Sequence, residues 1–266
     1  LDINTTYTNS TVGTALGFPF LVELHKKELE LLYQYSDKFI VLTNWYKKIL
    51  QGNLSESSKI SVIPQTLPLL EYWYNCKPVI TIYPIKLIFI GRISYSKGIH
   101  LIIKALQDLT EDKVQLNIFG QITEDDYYNY CRTLSKNMNN IRWGGRIEPT
   151  KVIEKMRQHD ALCLPSTVNE MSPLVIQEAF AAGIPVIASN VYGNAEQIQH
   201  NYNGLLFDFN NAKDLREQIS KTIDDPDLLL RLSKNITPPK SFKDVGDAYL
   251  SLYKDILSTK GTKING

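Results

Sequence analysis

Short apolar runs alternate with amphipathic segments from Lys86 onward. The apolar runs have the length and β-branched content of buried strands, and the segments between most of them repeat with the period of a helix. The predicted strands are Lys86–Ile90, Val114–Phe119, Ile141–Trp143, Ala161–Leu164, Pro185–Ala188 and Gly204–Phe207, and the predicted helices between them are Gly98–Leu109, Glu124–Lys136, Thr150–Gln158 and Pro173–Ala182. Such alternation indicates a parallel sheet covered on both faces. We therefore predict an α/β fold with a Rossmann-like doubly wound parallel sheet.

The chain before this regular part predicts pieces of a second α/β unit. Residues 1–20 are rich in Thr, Asn and Gly and give a loop-like pattern. Thr43 is a suitable N-cap because its hydroxyl can accept a hydrogen bond from a free backbone N–H. The predicted elements are a helix at Glu23–Tyr35, a strand at Lys38–Leu42, a helix from Thr43 through Leu50 and a strand at Lys59–Ile63. Four prolines then indicate an interdomain connector: Pro64, Pro68, Pro78 and Pro84.

The last part of the chain predicts helices at Lys213–Ile223, Asp227–Leu232 and Lys243–Leu257, with a break at Pro238-Pro239. Asn203-Gly204 offers a turn with positive φ before the last strand. We expect three regions: an incomplete α/β domain with its connector over 1–82, a complete Rossmann-like domain over 83–236, and a C-terminal helix over 237–266.

Composition excludes several classes of protein. Of the 266 residues, 43% are apolar and 21% charged, as in ordinary globular proteins, and the net charge of +1 provides no general attraction for nucleic acid. Cys76, Cys131 and Cys163 are far apart and lack a CxxC spacing, which favours small buried thiols over a disulfide framework or a zinc site. The pairs Asp125-Asp126 and Asp224-Asp225 fit helix starts and turns, so we expect no metal site.

We expect a cytoplasmic protein. The longest apolar stretch, Pro78–Ile90, is interrupted by Pro84 and Lys86 and is too short to span a bilayer, and no basic-then-apolar leader opens the chain. Peripheral attachment to the inner face of a membrane stays open.

A glycine and two cations follow the first strand of the regular part. Gly91 permits a tight exit from that strand, and Lys97-Gly98 meets the start of the next helix. Free N–H groups at a helix start favour anions, and Arg92 and Lys97 add two positive charges, as a diphosphate would require. This segment alone leaves open a turn with two solvated cations. The GxGxxG fingerprint of nicotinamide and flavin enzymes is absent here, which argues against an oxidoreductase.

Two glutamates eight residues apart, Glu170 and Glu178, lie on either side of the predicted start of the helix Pro173–Ala182. A buried carboxylate needs a partner, and hydroxyl-rich ligands such as sugars and ribose supply one by donating hydrogen bonds. Two carboxylates also fit the acid/base pair of a glycosidase. A structural alternative makes Glu170 a helix-dipole partner and Glu178 a solvated surface charge.

The helix start itself predicts an anion site. Ser172 is expected to cap the helix, with Pro173 as its first residue, where a missing N–H costs nothing. The N–H groups of Leu174 and Val175 would then point into the crevice at the carboxyl ends of the strands.

Between residues 86 and 235, the motifs already described and several further ones occur in order along the chain. They are Gly91-Arg92, Lys97-Gly98, Phe119-Gly120, Gly144-Gly145-Arg146, Pro165-Ser166, the E-x7-E spacing of Glu170 and Glu178, Ala182-Gly183-Ile184-Pro185-Val186, Glu196 and Asn203-Gly204-Leu205. With these motifs the stretch closely resembles the C-terminal, donor-binding domain of family 4 retaining glycosyltransferases, which have the GT-B fold. So many matches in order are more specific than any one motif.

The resemblance implies roles for individual residues. Arg92 and Lys97 would hold the nucleotide diphosphate, with Gly91 beside them, and Glu178 would hold the ribose hydroxyls. Glu170 would touch the donor sugar, so that Glu170, Arg92 and Lys97 form the catalytic set. Backbone N–H groups around Ser172, Pro173, Leu174 and Val175 would serve the sugar and phosphate, and Arg146 and Ile147 would lie beside the base.

The resemblance extends to the flanks. Ser36–Thr43 followed by Ile60–Pro64 is similar to the end of the family's N-terminal, acceptor-side domain, and Lys243–Leu257 is similar to its closing helix. Most of that N-terminal domain has no counterpart, and its histidine beside the donor sugar has none either. His25 is expected to be a surface residue.

The function implied is that of a metal-independent retaining glycosyltransferase of the hexosyltransferase type, acting in polysaccharide or glycoconjugate biosynthesis. The donor would be a nucleotide-diphosphate sugar such as a UDP-, GDP- or ADP-sugar, the acceptor a carbohydrate or glycolipid, and no cofactor is expected. Two alternatives stay open. One is a nucleotide-sugar binding module without catalysis, and the other is a sugar epimerase or phosphorylase that shares the GT-B architecture.

Overall fold

The computed structural model of the protein describes residues 11–54, 58–67 and 83–264. The chain divides into two compact units. The smaller contains the described residues of 1–63 and 252–266, and the larger those of 64–251. The region boundaries predicted after residues 82 and 236 stay predictions.

The smaller unit contains a two-stranded parallel sheet. Strand β1 (Phe39–Val41) pairs with β2 (Ile60–Val62), in the register Phe39 to Ile60. Helix α1 (Thr11–Tyr35) precedes β1, and helix α2 (Asn44–Asn53) connects the two strands. The Thr43 hydroxyl accepts a hydrogen bond from the N–H of Tyr46 at 3.2 Å, which confirms the predicted N-cap. The small core consists of Tyr33, Val41, Leu50, Leu54 and Ile60.

The larger unit is built on a parallel sheet of six strands within the described residues, in the order β5-β4-β3-β6-β7-β8. The strands are β3 (Ile85–Ile90), β4 (Val114–Phe119), β5 (Ile141–Gly145), β6 (Ala161–Leu164), β7 (Val186–Ser189) and β8 (Gly204–Phe207). Counted from β3, this order is 3-2-1-4-5-6, that of a doubly wound sheet. The predicted α/β fold class is confirmed.

Helices follow the strands along the chain. They are α3 (Ile99–Gln107), α4 (Asp125–Leu134), α5 (Val152–Met156), α6 (Leu174–Ala182), α7 (Tyr192–Ala195), α8 (Ala212–Asp224), α9 (Leu228–Lys234) and α10 (Phe242–Ile264), whose residues from Leu252 onward belong to the smaller unit. Residues of α3, α4, α5, α6, α8 and α9 contribute to the core of the larger unit. Strands buried on both faces read as continuous apolar runs. Leu87, Ile88 and Phe89 of β3 and all four residues of β6 are accordingly buried.

Two local predictions are wrong, and one short helix was not predicted. Residues 11–20 were expected to be loop-like, yet α1 begins at Thr11, because the low helix propensity of Thr and Gly is only a weak guide to structure. The positive φ before β8 is at Asn201, with φ 61°, and not at Asn203-Gly204. The short helix α7 has no counterpart among the predicted elements.

Two side-chain predictions are confirmed within the described residues. Cys131 and Cys163 are free and buried, while Cys76 lies outside the described residues. His25 is exposed, with 73% of its side chain accessible. Much of the predicted connector, with Pro68 and Pro78, also lies outside the described part of the chain.

Across residues 11–54, 58–67 and 83–264, the helices are all either too short or too polar to cross a bilayer.

Candidate functional site

The candidate site lies at the carboxyl edge of the large sheet, between β3 and β6. These two strands are neighbours, but the chain leaves β3 toward β4 and β5, and leaves β6 toward β7 and β8. In open parallel sheets the loops diverge at such a point and form a crevice that binds ligands. The loop after β3 contains Arg92 and Lys97, and the loop after β6 contains Glu170. The predicted residues of both loops therefore lie at the same crevice.

The loop after β3 approaches its neighbours closely. Gly98 has φ +68°, in the left-handed region, and a Cβ there would lie 1.9 Å from the carbonyl oxygen of Pro165. The Thr167 hydroxyl donates to the carbonyl of Tyr95 at 2.7 Å, and the Thr167 N–H donates to the carbonyl of Ser96 at 2.9 Å. These contacts attach the loop after β6 directly to the loop after β3. A larger residue at position 98 would separate them.

Aromatic packing holds the same loop from the side of α3 and α4. Tyr95 stacks on His100, with ring centroids 5.1 Å apart, and the Tyr95 N–H donates to Oε2 of Glu124 at 2.9 Å. The Nδ1 of His100 lies 2.9 Å from the hydroxyl of Tyr127. Burial lowers the pKa of His100, with a smaller contribution from Lys104, and burial raises the pKa of Tyr127. Both side chains are therefore neutral at neutral pH and serve to support the loop.

Lys97 and Glu170 form an ion pair across the crevice. The Lys97 Nζ lies 2.5 Å from Oε1 of Glu170, and the two side chains are only 17% and 14% exposed. The hydroxyl of Ser166, which is fully buried, donates to the same Oε1 at 2.8 Å. Glu170 thus has the partner that a half-buried carboxylate requires. Both contacts are to one oxygen.

The backbone after Glu170 packs against the start of α7. The Gly193 N–H donates to the carbonyl of Glu170 at 3.0 Å. A Cβ at Gly193 would lie 2.1 Å from that oxygen and 2.4 Å from the carbonyl oxygen of Met171. Only glycine permits this approach, so α7 fixes the position of the Glu170 loop.

Arg92 contrasts with Lys97. Its side chain is exposed and forms no ion pair with any residue in the described part of the chain. Gly91 precedes it, and the Gly91 N–H donates to the carbonyl of Phe119 at 3.1 Å. The guanidinium is thus accessible at the crevice, and no ion pair with a described residue fixes its orientation.

The helix start differs from the prediction by one residue. Helix α6 begins at Leu174, and Pro173 is its N-cap with ψ 119°, so Ser172 is not the cap. The physical reason is that Pro173 adopts extended rather than helical backbone, which moves the first helical residue on by one. The predicted N–H groups of Leu174 and Val175 are still in the first turn, where helix N–H groups lack intrahelical acceptors.

Glu178 lies one turn into α6 and is half-buried. Its carboxylate has no hydrogen bond or ion pair within the described residues, and burial raises its pKa above the ordinary carboxyl value. A buried, unpaired carboxylate is costly unless a ligand supplies donors. Among the predicted site residues, Glu178 is therefore a carboxylate that still lacks a hydrogen-bond donor within the described part of the chain.

The loop after β5 contains the last predicted residues. Arg146 is exposed, and Ile147 is half-buried and packs against the main core. Strand β5 is the outer neighbour of β4, and β4 lies next to β3. These two residues therefore lie two strands away from Lys97 along the same edge of the sheet.

Sequence reasoning missed three contributors to this region. Ser166 was part of a recognised motif but had no role, and Gly193 had no role because its close approach depends on tertiary packing. Gln65, whose side-chain amide donates to the carbonyl of Ser172, lies in the segment after β2 and gave no motif at all. The only sequence signal for Gln65 is its place in a short polar stretch between two apolar residues, Ile63 and Leu67. Both of these residues are buried in the structure.

Known proteins show similarity over this region. Spore coat protein SA of Bacillus subtilis is 29% identical over 156 residues, which is 55% of this chain and 41% of that protein. A glycogen synthase of Mycobacterium tuberculosis is 30% identical over 145 residues, or 54% of this chain and 35% of that protein. The chain thus spans less than half the length of these two relatives.

Among solved structures, the complex of Anabaena Alr3699/HepE with UDP-glucose aligns with a TM-score of 0.67 at 18% identity. The alignment covers 87% of this chain and 65% of that one, which supports the fold assignment.

A family model described as "Glycosyl transferases group 1" matches residues 83–237. That match covers more than half of the 266 residues and includes both loops of the crevice. The chain belongs to the glycosyl transferases group 1 family.

Proposed function

We propose that this chain binds the donor of a nucleotide-sugar-dependent glycosyltransferase, which moves a sugar from a nucleoside diphosphate to an acceptor hydroxyl with retention of configuration. The observation that carries the proposal is the Lys97–Glu170 pair at the point where the loops after β3 and β6 diverge. Membership of the glycosyl transferases group 1 family agrees with it. A role in polysaccharide or glycoconjugate assembly is part of the proposal.

The diphosphate would lie between the two cations and the start of α6. Lys97 is positioned by its loop, while Arg92 is exposed and unpaired within the described residues, so it is available to an anion. The first-turn N–H groups of α6 add partial positive charge at the same edge. Positive charge from three sources would stabilise the leaving diphosphate without a bound metal.

The two glutamates would bind hydroxyl groups rather than act as nucleophiles. Glu178 has no donor within the described part of the chain, and ribose hydroxyls would supply donors to it. In Glu170 both protein contacts are to Oε1, which leaves Oε2 for a hydroxyl of the donor sugar. Arg146 and Ile147, farther along the edge, would contact the base.

The transfer step would proceed on one face of the sugar. The bond between the anomeric carbon and the diphosphate oxygen breaks as the acceptor oxygen bonds to the same carbon. The leaving diphosphate takes the proton of the acceptor hydroxyl, so no protein nucleophile is needed. Lys97 and Arg92 would stabilise the negative charge that develops on the diphosphate.

Titration calorimetry of this chain with UDP-glucose, GDP-mannose and ADP-glucose tests the proposal. We expect at least one of them to bind, and Lys97→Met to weaken that binding about 10- to 100-fold, as expected for one charge-assisted contact. Lys104→Met removes an exposed lysine of α3 and is the matched control, with an affinity close to that of the wild type. Equal affinities for Lys97→Met and Lys104→Met would refute the role of Lys97.

A binding module without transfer is the second candidate, since the observations made on this chain concern the donor side alone. Product analysis with a longer protein that contains this chain separates the two. Transfer to an acceptor supports the enzyme, and donor binding without transfer supports the module. An isomerised nucleotide sugar formed without acceptor would indicate an epimerase, and a sugar phosphate released by inorganic phosphate would indicate a phosphorylase.

A further inference from the structure

Gln65 contacts both sides of the first turn of α6. It lies in the segment 64–67, which follows the smaller unit along the chain and belongs to the larger unit. The side-chain amide of Gln65 donates to the backbone carbonyl of Ser172. The backbone carbonyl of Gln65 accepts from Nε2 of Gln177 at 3.1 Å. The two partners precede and follow the helix start by a few residues. Gln65 therefore brackets the part of α6 at which the proposed donor binds.

The contact with Ser172 sets the direction in which the helix enters the site. A peptide unit is planar, so fixing the Ser172 carbonyl fixes the plane of the Ser172–Pro173 bond. The ring of Pro173 then holds φ at −67°, which leaves little freedom before Leu174. The directions of the next N–H groups follow from these two constraints.

The contact with Gln177 acts on the other end of the same turn. Gln177 is 8% exposed and adjoins Glu178 in the chain. Its Oε1 is buried and has no partner in the described residues, so its hydrogen bond to the Gln65 carbonyl is the one that orients the amide. Loss of that orientation would free the side chain next to Glu178.

The segment itself is firmly attached to the larger unit. Leu67 is buried in the main core, and the Thr66 hydroxyl donates to the carbonyl of Lys240. On its C-terminal side, Gln65 is thus held by the burial of Leu67 and by the hydrogen bond from Thr66 to Lys240, which lies outside α6. This provides a fixed support from which its side chain can orient the helix.

We propose that Gln65 is a positioning residue of the donor site, which holds the first turn of α6 in the orientation that binds a nucleoside diphosphate. The proposal rests on the proposed function for its ligand. It also extends the site beyond residues 83–237, the region that the family model matches.

Gln65→Met tests this, because methionine is similar in length and lacks a donor for the Ser172 carbonyl. Thr66→Val is the matched control, since it removes a hydrogen bond of the same segment that does not involve α6. Two quantities are measured for each full chain: amide hydrogen exchange of the ligand-free protein, and calorimetric affinity for UDP, GDP and ADP.

In Gln65→Met we expect faster amide exchange over residues 172–178 and no change in α3. We also expect an affinity about 3- to 10-fold weaker for whichever nucleoside diphosphate the wild type binds, because that is the loss typical of one hydrogen bond. Thr66→Val should change neither. Wild-type exchange and affinity in Gln65→Met would overturn the proposal, and so would equal losses in the two variants. If the wild type binds none of the three nucleotides, the proposed function and the ligand part of this proposal fail, while the exchange data still decide whether Gln65 holds α6.

Discussion

Glu170 and Glu178 lie on either side of the start of α6, and among the described residues only the carboxylate of Glu170 has partners. Glu170 is paired with Lys97 and accepts from Ser166. Glu178 is half-buried without a partner in the described residues, and burial raises its pKa. An unpaired carboxylate of this kind reduces stability when it is ionised, and a ligand that donates to it recovers the difference.

Glu178→Gln should change how stability depends on pH. In the folded state the pKa of Glu178 is raised above its ordinary value of 4.5. The folded state therefore binds this proton more tightly than the unfolded state does. The stabilisation from that proton is complete below pH 4.5 and is lost as pH rises through the folded pKa. The Tm of Glu178→Gln minus that of the wild type should therefore increase over this window and then level off.

Thermal unfolding of both proteins between pH 4 and pH 8 measures this difference. Glu217→Gln, at an exposed position of α8, is the control and should give a difference that changes little with pH. A Tm difference for Glu178→Gln that stays constant with pH would contradict the expectation.

Glu178→Gln should also bind a nucleoside diphosphate less tightly than the wild type, since a neutral amide accepts hydrogen bonds more weakly than a carboxylate.

Lys97 and Glu170 should be energetically coupled in the ligand-free protein. Lys97→Met, Glu170→Gln and the double variant form a cycle, and residues in direct contact typically show coupling of about 0.5–3 kcal/mol. The two side chains are 17% and 14% exposed, so solvent screens this pair less than a surface pair. Urea unfolding of the four proteins gives the coupling.

The exposed pair of Lys243 and Asp247 on α10 provides a reference cycle. It should couple much more weakly than Lys97 and Glu170, because exposed pairs are well solvated. Comparable coupling in the two cycles would mean that the crevice does not shield its ion pair.

Two glycines in the loops of the site allow the cost of left-handed backbone to be measured separately from the cost of close packing. Gly98 and Gly145 have φ of +68° and +71°, but a Cβ at Gly98 would lie 1.9 Å from the Pro165 oxygen, whereas one at Gly145 would meet nothing within 4 Å. Gly145→Ala should lower the free energy of unfolding by about 1–2 kcal/mol, the cost of left-handed backbone. Gly98→Ala should exceed this by about 1–3 kcal/mol through overpacking.

Urea denaturation of the two alanine variants measures both costs. Equal costs would mean that the Pro165 backbone moves aside freely, and that the loops after β3 and β6 are not packed as tightly as described. Nucleotide affinity should fall in Gly98→Ala more than in Gly145→Ala, because Gly98 adjoins Lys97.

At the scale of elements, the strands of the large sheet are predictable because burial on both faces leaves continuous apolar runs. Val114–Phe119, Ala161–Leu164 and Gly204–Phe207 agree with the prediction to the residue. Helix ends are less predictable, because they depend on single backbone angles. Pro173 illustrates this, since its extended ψ shifts the start of α6 and removes the predicted cap at Ser172.

The candidate site is predictable only in part. The motifs indicate which residues belong to the crevice, since local chemistry at strand ends is visible in the sequence. They do not indicate that Lys97 bonds Glu170, 73 residues away, nor that Gln65 bonds Ser172, because such contacts depend on tertiary packing. The close approach of Gly193 to Glu170 is of the same kind.

At the scale of the molecule, the two units should unfold separately. The core of the larger unit includes most buried apolar residues of the described chain, whereas that of the smaller unit has five. Burial of apolar area is the main stabilising contribution, so the smaller unit should unfold at a lower urea concentration. Trp45 lies in α2 of the smaller unit and Trp143 in β5 of the larger one.

Fluorescence of variants in which either Trp45 or Trp143 is the single remaining tryptophan measures the two transitions. Far-ultraviolet circular dichroism of the same samples should follow the Trp143 transition most closely. One shared midpoint for both tryptophans would show that the units unfold together.

The proposed charge arrangement also predicts how metal ions affect transfer. If Lys97, Arg92 and the α6 N–H groups supply the positive charge, transfer by a longer protein containing this chain should be unaffected by EDTA. Added Mg²⁺ or Mn²⁺ should likewise leave the initial rate unchanged. Loss of activity on chelation, restored by one of these ions, would contradict the proposal.

The contact between Lys97 and Glu170 also has a consequence for synthesis of the protein on the ribosome. The lysine leaves the ribosome 73 residues before its partner. At about 5–20 residues per second, roughly 4–15 s pass before the carboxylate is even made. During that interval the growing chain has Lys97 and β3 and adds β4, β5 and β6, but it has neither Glu170 nor α6. On the proposed function, nucleotide binding is therefore acquired late, after β6 and α6 have been made.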